Sequence, residues 1–193
     1  MVRKAQINRE TNETKIKLSV DLNGTGKSNI NTGVGFFRHM LQQLAFHSGI
    51  EVEIEALVDL DVCDHHLVED VGIALGKALA EALGNKLGIN RYGTFFVPMD
   101  EALAMTSIDI SGRPYLYFEC DFVRENIGTF STEMVKEFFR ALALNAGMTI
   151  HLKVMYGEND HHKAEALFKS FGRALKEAIK VEGEAVSSTK GVL

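Results

Sequence analysis

The amino-acid sequence predicts an α+β fold, a two-layer sandwich with a sheet on one side and helices on the other, built by internal duplication of one half. Two observations predict it. Short stretches of alternating apolar and polar residues are interleaved with stretches of helical apolar spacing. The same order of strands, helix, strand, helix occurs twice along the chain. Because a strand and a helix can each bury only one side, we expect both helices of a half on one face of its sheet.

The duplication is visible in three pairs of matching stretches. Their offsets are 101 − 13 = 88, 138 − 36 = 102 and 160 − 64 = 96, so their order is kept and only loop lengths differ. The matching stretches are residues 13–24 with 101–112, the Phe-Phe-Arg of 36–38 with 138–140, and the D-H-H-x-x-E of 64–69 with 160–165. A repeat of this kind indicates duplication of a structural unit.

The repeat sets the predicted domain organisation. We expect a single domain, residues 1–193, made of two repeats at about 1–88 and 89–193, with the joint near residues 84–91. No linker rich in Pro or Ser separates the halves, and each is near the size at which a lone core is marginal.

The elements of the first half follow in order. Alternation over residues 15–22 predicts a strand, and the N-G-T-G after it predicts a turn. Residues 33–48 have apolar side chains at helical spacing, and Gly49 ends that helix. Residues 50–54 alternate again and predict another strand. The second helix is expected to begin at the D-H-H segment, with Asp64 as N-cap.

The second half repeats this order. Residues 106–110 predict a strand followed by an S-G-R-P turn, and residues 132–145 predict a helix that Gly147 ends. Residues 149–154 alternate as a strand, and a last helix begins at the second D-H-H with Asp160 as N-cap.

Composition limits the function classes. The chain has 193 residues, 46% of them hydrophobic, and a net charge of -5 with its cations spread among acids. This distribution of charge provides no basic patch that would bind nucleic acid or an anionic membrane. No apolar run approaches the roughly 20 residues of a membrane helix, and the start resembles no signal peptide, so we expect a cytoplasmic protein with small ligands.

The paired D-H-H-x-x-E segments carry the strongest chemical signal. On a helix, His65 and Glu69 stand at i and i+4, as do His161 and Glu165, so each pair can bind one metal ion. Adjacent helical residues diverge by about 100°, so the neighbouring histidines, His66 and His162, would serve a second ion. A single such pair would equally fit a solvated helix start, but two matched pairs favour metal.

The other candidate ligands are weaker. His39 and His47 lie on one broad face of the first predicted helix, where a lone histidine is more often a satisfied core residue, and His151 has no assigned role. Cys63 is close enough to the first D-H-H for a thiolate ligand, but a bystander cysteine is the commoner case. Nitrogen and oxygen ligands without thiolate suit Mn(II), Fe(II), Co(II) or Zn(II), and the mixed set favours Mn(II) or Fe(II).

Across its whole length the chain resembles the imidazoleglycerol-phosphate dehydratases of histidine biosynthesis. The stretches that carry the resemblance are R-E-T-N-E-T (9–14), N-T-G-V-G-F-F-R-H-M-L-Q-Q-L-A-F-H-S-G (31–49), D-H-H-L-V-E-D-V-G-I-A-L-G (64–76), R-Y-G-T (91–94), D-I-S-G-R-P-Y (109–115), G-E-N-D-H-H-K-A-E-A-L-F-K-S-F (157–171) and S-T-K-G-V-L (188–193). The resemblance implies halves like the second domain of a small-subunit ribosomal protein.

The resemblance also implies two metal-binding sets. One metal falls to His39, His66, His161 and Glu165, and the other to His65, Glu69, Glu137 and His162. Each ion would thus take one i, i+4 pair and the second histidine of the other repeat. Glu137, where some relatives carry His, would otherwise be read as a solvated helix residue.

The implied reaction converts D-erythro-imidazole glycerol phosphate to imidazole acetol phosphate and water. The carbon that loses its proton has no adjacent carbonyl, so the imidazole ring is the electron sink, and two metals on the ring nitrogens would stabilise an imidazolate on the way to a diazafulvene-like intermediate. The family places its base at Glu13, which would otherwise be read as a surface strand residue. His47 matches a substrate-contacting position.

A phosphate pocket and a large assembly complete what the resemblance implies. The matching phosphate residues are Arg91, Arg113, Lys169, Ser188 and Lys190. The assembly is a homo-oligomer of 24 subunits with active sites at subunit interfaces. Relatives commonly have Asp at Cys63, Asp or Asn at Arg38 and Pro at Ser187, and the first two of these departures lie beside predicted ligands.

Two other functions would use the same ligands. A dimetal hydrolase of a small phosphorylated substrate would need the metals but not Glu13, Arg113 and the S-T-K tail together. A metal store would leave the phosphate-matching residues without purpose, so Arg113→Ala would have no effect on it.

Overall fold

The computed structural model describes residues 2–58 and 61–193, and its elements alternate between strands and helices in both halves. The first half contains β1 (Lys4–Glu10), β2 (Thr14–Asp21), β3 (Ser28–Asn31), α1 (Gly35–Ser48), β4 (Glu51–Val58) and α2 (His65–Leu83). The second contains β5 (Tyr92–Met99), β6 (Ala102–Asp109), β7 (Tyr115–Glu119), the short β8 (Asn126–Ile127) and β9 (Phe130–Ser131), α3 (Met134–Ala146), β10 (Thr149–Tyr156) and α4 (Asp160–Ala178). This confirms the α+β class.

The two main sheets have the same topology. The first has the strand order β1-β2-β4-β3 and the second β5-β6-β10-β7. In each, the first three strands pair antiparallel and the last joins its neighbour in parallel. β2 and β6 begin 88 positions apart, which is the offset that the sequence repeat predicts.

The helices of both halves lie between the two sheets. α2 packs on β1 and β2, and α4 packs on β5 and β6, so one face of each sheet is covered by its own helices, as predicted. In the whole chain the halves then meet helix to helix, through the pairs α2 with α3 and α1 with α4. One hydrophobic cluster includes buried residues of both halves.

Glycines let these helix pairs approach closely. A Cβ at Gly76 would lie 2.7 Å from the carbonyl oxygen of Leu142, and one at Gly172 would lie 2.9 Å from that of Leu44. Gly76 and Gly172 are 96 positions apart, so the duplication kept the same contact in both crossings. Side chains at these positions would separate the helices that carry the predicted ligands.

The N-cap position predicted at Asp64 is confirmed, and the one predicted at Asp160 is corrected. Asp64 does occupy the N-cap position of α2, but its side chain makes no capping hydrogen bond and instead accepts from the backbone N–H and hydroxyl of Ser131. α4 begins one residue earlier than predicted: its N-cap is Asn159, whose side chain accepts from the N–H of His161. Asp160 accepts from backbone N–H groups of the loop before β8. Donors of β9 and of the loop before β8 thus outcompete the helix ends for these carboxylates.

None of the helices in residues 2–58 and 61–193 combines the length and apolar character that crossing a membrane requires.

Candidate metal and substrate site

Three predicted metal ligands converge where α1 crosses α4. The side-chain donor atoms of His39, His161 and Glu165 all lie within 4.8 Å of one another. Glu165 Oε2 is 3.0 Å from His161 Nε2 and 3.5 Å from His39 Nε2. Glu165 is buried, while both rings are partly exposed. We call these three residues the α1/α4 cluster; two imidazoles and a carboxylate suit a divalent transition metal.

Lysine helps to keep the carboxylate of this cluster charged. Lys169 Nζ is 2.6 Å from Glu165 Oε1, one helical turn further along α4. Burial alone would raise the pKa of Glu165, but the hydrogen bond and charge of Lys169 outweigh it and the pKa lies below its ordinary value. Glu165 is therefore an anion that can bind a cation.

The equivalent positions of the other helix crossing form a looser group. His65 Nε2 is 3.6 Å from Glu69 Oε2 on α2. Glu137, on α3, lines a cavity of about 560 Å³ together with His65, and its carboxylate is 3.0 Å from Arg140. His65 and Glu69 are the repeat counterparts of His161 and Glu165, so this α2/α3 group is the second candidate half-site.

The remaining two predicted ligands face away from both groups. The ring centroids of His65 and His66 are 6.1 Å apart, as are those of His161 and His162, which fits the predicted divergence of adjacent helical residues. His66 Nδ1 lies 3.3 Å from Glu13 Oε2 instead. Among residues 2–58 and 61–193, His39, His161 and Glu165 form the only group of three or more close metal-binding side chains, so neither predicted four-ligand set is complete in one chain.

Glu13 lies in the connection between β1 and β2, not within a strand. Its side chain is 58% exposed, and it is followed by the buried Thr14. The hydroxyl of Thr14 donates to Asp70 of α2, and Arg9 contacts the other oxygen of Asp70 at 2.6 Å. The side chain of Glu13 is thus largely exposed, while the strands on either side of it are attached to α2.

Two of the predicted phosphate residues meet at Asp109. Arg91 donates to both oxygens of Asp109, at 2.7 and 3.1 Å, and Arg113 lies 3.6 Å from one of them. The hydrogen bond that Arg91 donates to Asp109 raises the pKa of Arg91 above its ordinary value. Arg113 is 71% exposed, and so its guanidinium can bind a ligand without first losing a buried contact.

The C-terminal tail reaches this arginine pair. Arg91 Nη1 donates to the carbonyl oxygen of Ser187 at 2.8 Å. The hydroxyl of the next residue, Ser188, accepts from the backbone N–H of Lys190. Ser187 thus holds the tail through its carbonyl oxygen.

Lys169 and His47 lie in a different environment from the arginines. Lys169 is bonded to Glu165, and His47 lines a cavity of about 720 Å³ with Arg173 and Lys176. Burial, followed by the positive charges of Lys169 and Arg173, lowers the pKa of His47. Among the described residues, Lys169 and His47 therefore share no contact partner with Arg91 and Arg113.

Sequence reasoning missed three groups that hold these residues. Asp109 anchors both arginines and Asp70 anchors the Glu13 connection, and each lies inside a matching motif without an assigned role. The third is Glu101, which aligns with Glu13 in the repeat and whose oxygen lies 2.6 Å from Nδ1 of His162. The repeat offset was the signal that could have found it.

Comparison with known proteins identifies the family. The family model for imidazoleglycerol-phosphate dehydratase matches residues 32–175. The chain is 59% identical over 190 residues to the imidazoleglycerol-phosphate dehydratase of Clostridium botulinum, covering 98% of this chain and 97% of that one. It is 56% identical to that of Streptococcus mutans, and this match covers 100% of both chains. The chain belongs to the imidazoleglycerol-phosphate dehydratase family.

Solved structures of the imidazoleglycerol-phosphate dehydratase family agree with the fold. The crystal structure from Staphylococcus aureus superposes with a TM-score of 0.85 at 45% identity, covering 93% of this chain and 99% of that chain. The one from Pyrococcus furiosus gives 0.82 at 41% identity, covering 97% and 100%. As a member of this family the chain is a dehydratase of histidine biosynthesis, which is a hydro-lyase.

Proposed function

We propose that the chain converts imidazole glycerol phosphate to imidazole acetol phosphate and water with two divalent metal ions per active site. Manganese(II) is our first choice, with Fe(II), Co(II) and Zn(II) as substitutes. Family membership supports the reaction. The observation that carries the metal proposal is the α1/α4 cluster, whose three donor atoms lie within 4.8 Å of one another.

The donor chemistry fits such ions. His39, His161 and Glu165 would hold one ion and His65, Glu69 and Glu137 the other, with His66 and His162 completing the sets. Two bound ions would supply positive charge that stabilises negative charge developing on the imidazole ring of the substrate.

Glu13 is proposed to take the proton from the substrate carbon. Its carboxylate is on an exposed connection, 3.3 Å from Nδ1 of His66, and so stands next to a proposed metal ligand. A general base must be within hydrogen-bond reach of the proton it removes, and its position beside His66 would bring Glu13 close to a ring bound at the metals.

The arginine pair at Asp109 is proposed to bind the phosphate together with Ser188 and Lys190. Guanidinium groups match phosphate oxygens with two parallel hydrogen bonds. Asp109 already holds Arg91, which orients the guanidinium, while Arg113 remains exposed for the ligand. Binding at a point away from the ring would fix the reacting carbon relative to Glu13.

We further propose that active sites lie between subunits of a homo-oligomer, with 24 subunits as the expected size. His66 and His162 face away from the cluster of their own chain, and Lys169 is separate from the arginines. Residues donated by a neighbouring subunit would complete each set of ligands.

Dehydration of imidazole glycerol phosphate by chelator-stripped protein, with and without added Mn(II), tests the proposal. We expect imidazole acetol phosphate to form only when metal is added. Arg113→Ala should weaken substrate binding without removing metal, whereas a metal store would be unaffected by this change. Metal-loaded, assembled protein that hydrolyses small phosphate esters but does not dehydrate the substrate would overturn the proposal in favour of a hydrolase.

A further inference from the structure

The two repeats carry equivalent pairs of a glutamate and a histidine that differ in their contacts. Glu13 with His66 in the first half corresponds to Glu101 with His162 in the second, at offsets of 101 − 13 = 88 and 162 − 66 = 96. The carboxylate to Nδ1 distance is 3.3 Å in the first pair and 2.6 Å in the second. The second pair is thus a direct hydrogen bond, and the first is looser.

Both oxygens of Glu101 are engaged. Oε1 accepts from the backbone N–H groups of Asn159 at 2.8 Å and Glu158 at 3.1 Å, at the start of α4. Oε2 faces His162 Nδ1. An ionised carboxylate only accepts hydrogen bonds, so Nδ1 must be the donor. In the neutral ring, Nε2 then carries the lone pair, and the exposed carboxylate of Asp100 lies 3.7 Å from it.

We infer that Glu101 is a positioning residue that fixes the tautomer and orientation of His162, so that Nε2 of this ring is presented to a divalent metal ion. A metal-binding histidine commonly donates its other N–H to a carboxylate, which orients the ring and makes it a better ligand. The inference rests on the proposed metal function. It extends that function by giving the two glutamates different tasks: Glu13 is left with a free oxygen for proton transfer, and Glu101 has none.

The hydrogen bonds around Glu101 give its glutamine variant a distinctive effect. In Glu101→Gln the amide must place its oxygen toward the two backbone N–H groups, because its NH2 group would otherwise face two donors. The NH2 group then points at Nδ1 of His162 and makes it an acceptor. The proton moves to Nε2, the atom that should bind metal. The isosteric variant should therefore impair metal binding more than Glu101→Ala, which only releases the ring.

Equilibrium binding of Mn(II), followed by the electron paramagnetic resonance signal of the free ion, tests this in the intact assembly. We expect wild-type protein to bind two ions per chain. Glu101→Gln should bind one of them about 10- to 100-fold more weakly, and Glu101→Ala should lie between it and wild type. The matched control is Glu158→Gln. It removes one charge from the same loop but keeps the backbone N–H of residue 158, which donates to Glu101.

The outcomes separate the two proposals. Wild-type protein that binds no Mn(II) overturns the dimetal function and this inference with it. Wild-type protein that binds two ions, with Glu101→Gln equal to wild type, overturns the inference alone. A Glu101→Gln variant that binds better than Glu101→Ala, or a Glu158→Gln control that loses as much affinity, also overturns it, because the effect would then come from packing or from charge alone.

Discussion

At the scale of single residues, two glutamates at equivalent positions of the repeat have different environments, and this difference favours Glu13 over Glu101 as the proposed base. Two backbone N–H groups and His162 occupy the oxygens of Glu101, and these contacts, the backbone bond from Asn159 first, lower its pKa to about 2. Glu13 has no such set of donors among its contacts and is 58% exposed. A carboxylate that holds its proton so weakly makes a poor base near neutral pH.

Glu13→Gln should therefore abolish most turnover while keeping metal and assembly. We expect kcat to fall about 100- to 10,000-fold, because proton transfer by a positioned group contributes that much. Steady-state assays with Mn(II) measure it, and bound metal checks that the site is intact. The matched control is Glu10→Gln, an exposed partner of Lys15 on the same hairpin, which should retain full activity. Retained turnover in Glu13→Gln would exclude Glu13 as the base.

The neutral form of His47 should make stability depend on pH. Burial, with the charges of Lys169 and Arg173, places the pKa of His47 below 6.5 in the folded chain. Between the lowered pKa of the folded chain and the ordinary value of about 6.5, the unfolded chain binds more protons than the folded chain does. The stability associated with the neutral ring is therefore fully present above about pH 6.5 and is lost as the pH falls. The melting temperature of wild type minus that of His47→Gln should decrease between about pH 7 and pH 5. A difference that stays flat would contradict the shift.

At the scale of secondary-structure elements, a polar contact attaches the β1–β2 hairpin, which carries the proposed base Glu13, to α2. Asp70 accepts from Arg9 on β1 and from Thr14 at the start of β2. At the equivalent positions of the second half the chain has Val97, Ala102 and Ala166, at offsets of 88, 88 and 96. The two hairpins are therefore held differently: the first by the side chains of Arg9 and Thr14 on either side of its turn, and the second through the carboxylate of Glu101.

Asp70→Asn should loosen the first hairpin. We expect it to destabilise the fold by about 1–3 kcal/mol, because it leaves buried or partly buried donors without a charged acceptor. Chemical denaturation measures this, and kcat should fall as Glu13 loses its position. Asp21→Asn, at the other end of the same strand pair and bonded to the exposed Lys4, should cost less than about 1 kcal/mol. Equal effects of the two variants would argue against a special role for Asp70.

The helix crossings should not tolerate a methyl group. A Cβ at Gly76 or Gly172 would lie within 3 Å of backbone carbonyl oxygens of the opposing helix. Gly76→Ala and Gly172→Ala should each destabilise the fold by about 1–3 kcal/mol through overpacking. Gly35→Ala is the control, since nothing lies within 4 Å of its added Cβ at the exposed start of α1. That variant should be neutral or slightly stabilising in thermal melts, and a loss as large as at Gly76 would refute the packing argument.

At the scale of the whole molecule, duplication places two potential half-sites on equivalent helix crossings. The α1/α4 cluster has three convergent donors, while His66 and His162 face the glutamates of their own chain. If each site takes its missing histidine from a neighbouring subunit, two different inactive chains should complement each other.

Mixed assemblies of His66→Ala and His161→Ala chains test this. Each variant alone should be inactive, and co-assembly at equal amounts should restore about one quarter of wild-type activity, since half of the chains at each position are intact. As control, a chain with both changes mixed equally with wild type should also give about one quarter if sites are shared, but about one half if each site lies within one chain. Mixed assemblies without any recovery would place both histidines of a site in the same chain.

Much of the fold was predictable because the spacing of apolar residues along the chain follows from which side of a strand or helix is buried. The alternating residues of β2 and β4 and the helical spacing of α1 and α3 gave the elements within a few residues, and the repeat gave the matching halves. The hydrogen bonds of the two predicted N-cap residues could not be predicted in the same way. Asp64 accepts from Ser131 of β9 and Asp160 from the loop before β8, and no local pattern encodes that choice.

The sequence by itself determined the class of fold, the internal repeat, the family and the paired histidines and glutamates, because these follow from residue type and short-range spacing. Only the tertiary structure decided which of them meet. It brought His39 of α1 to His161 and Glu165 of α4, turned His66 and His162 toward separate glutamates, and placed both arginines of the proposed phosphate site against Asp109. These distances depend on how the helices cross and where the loops end, and contacts between residues far apart in the chain determine both.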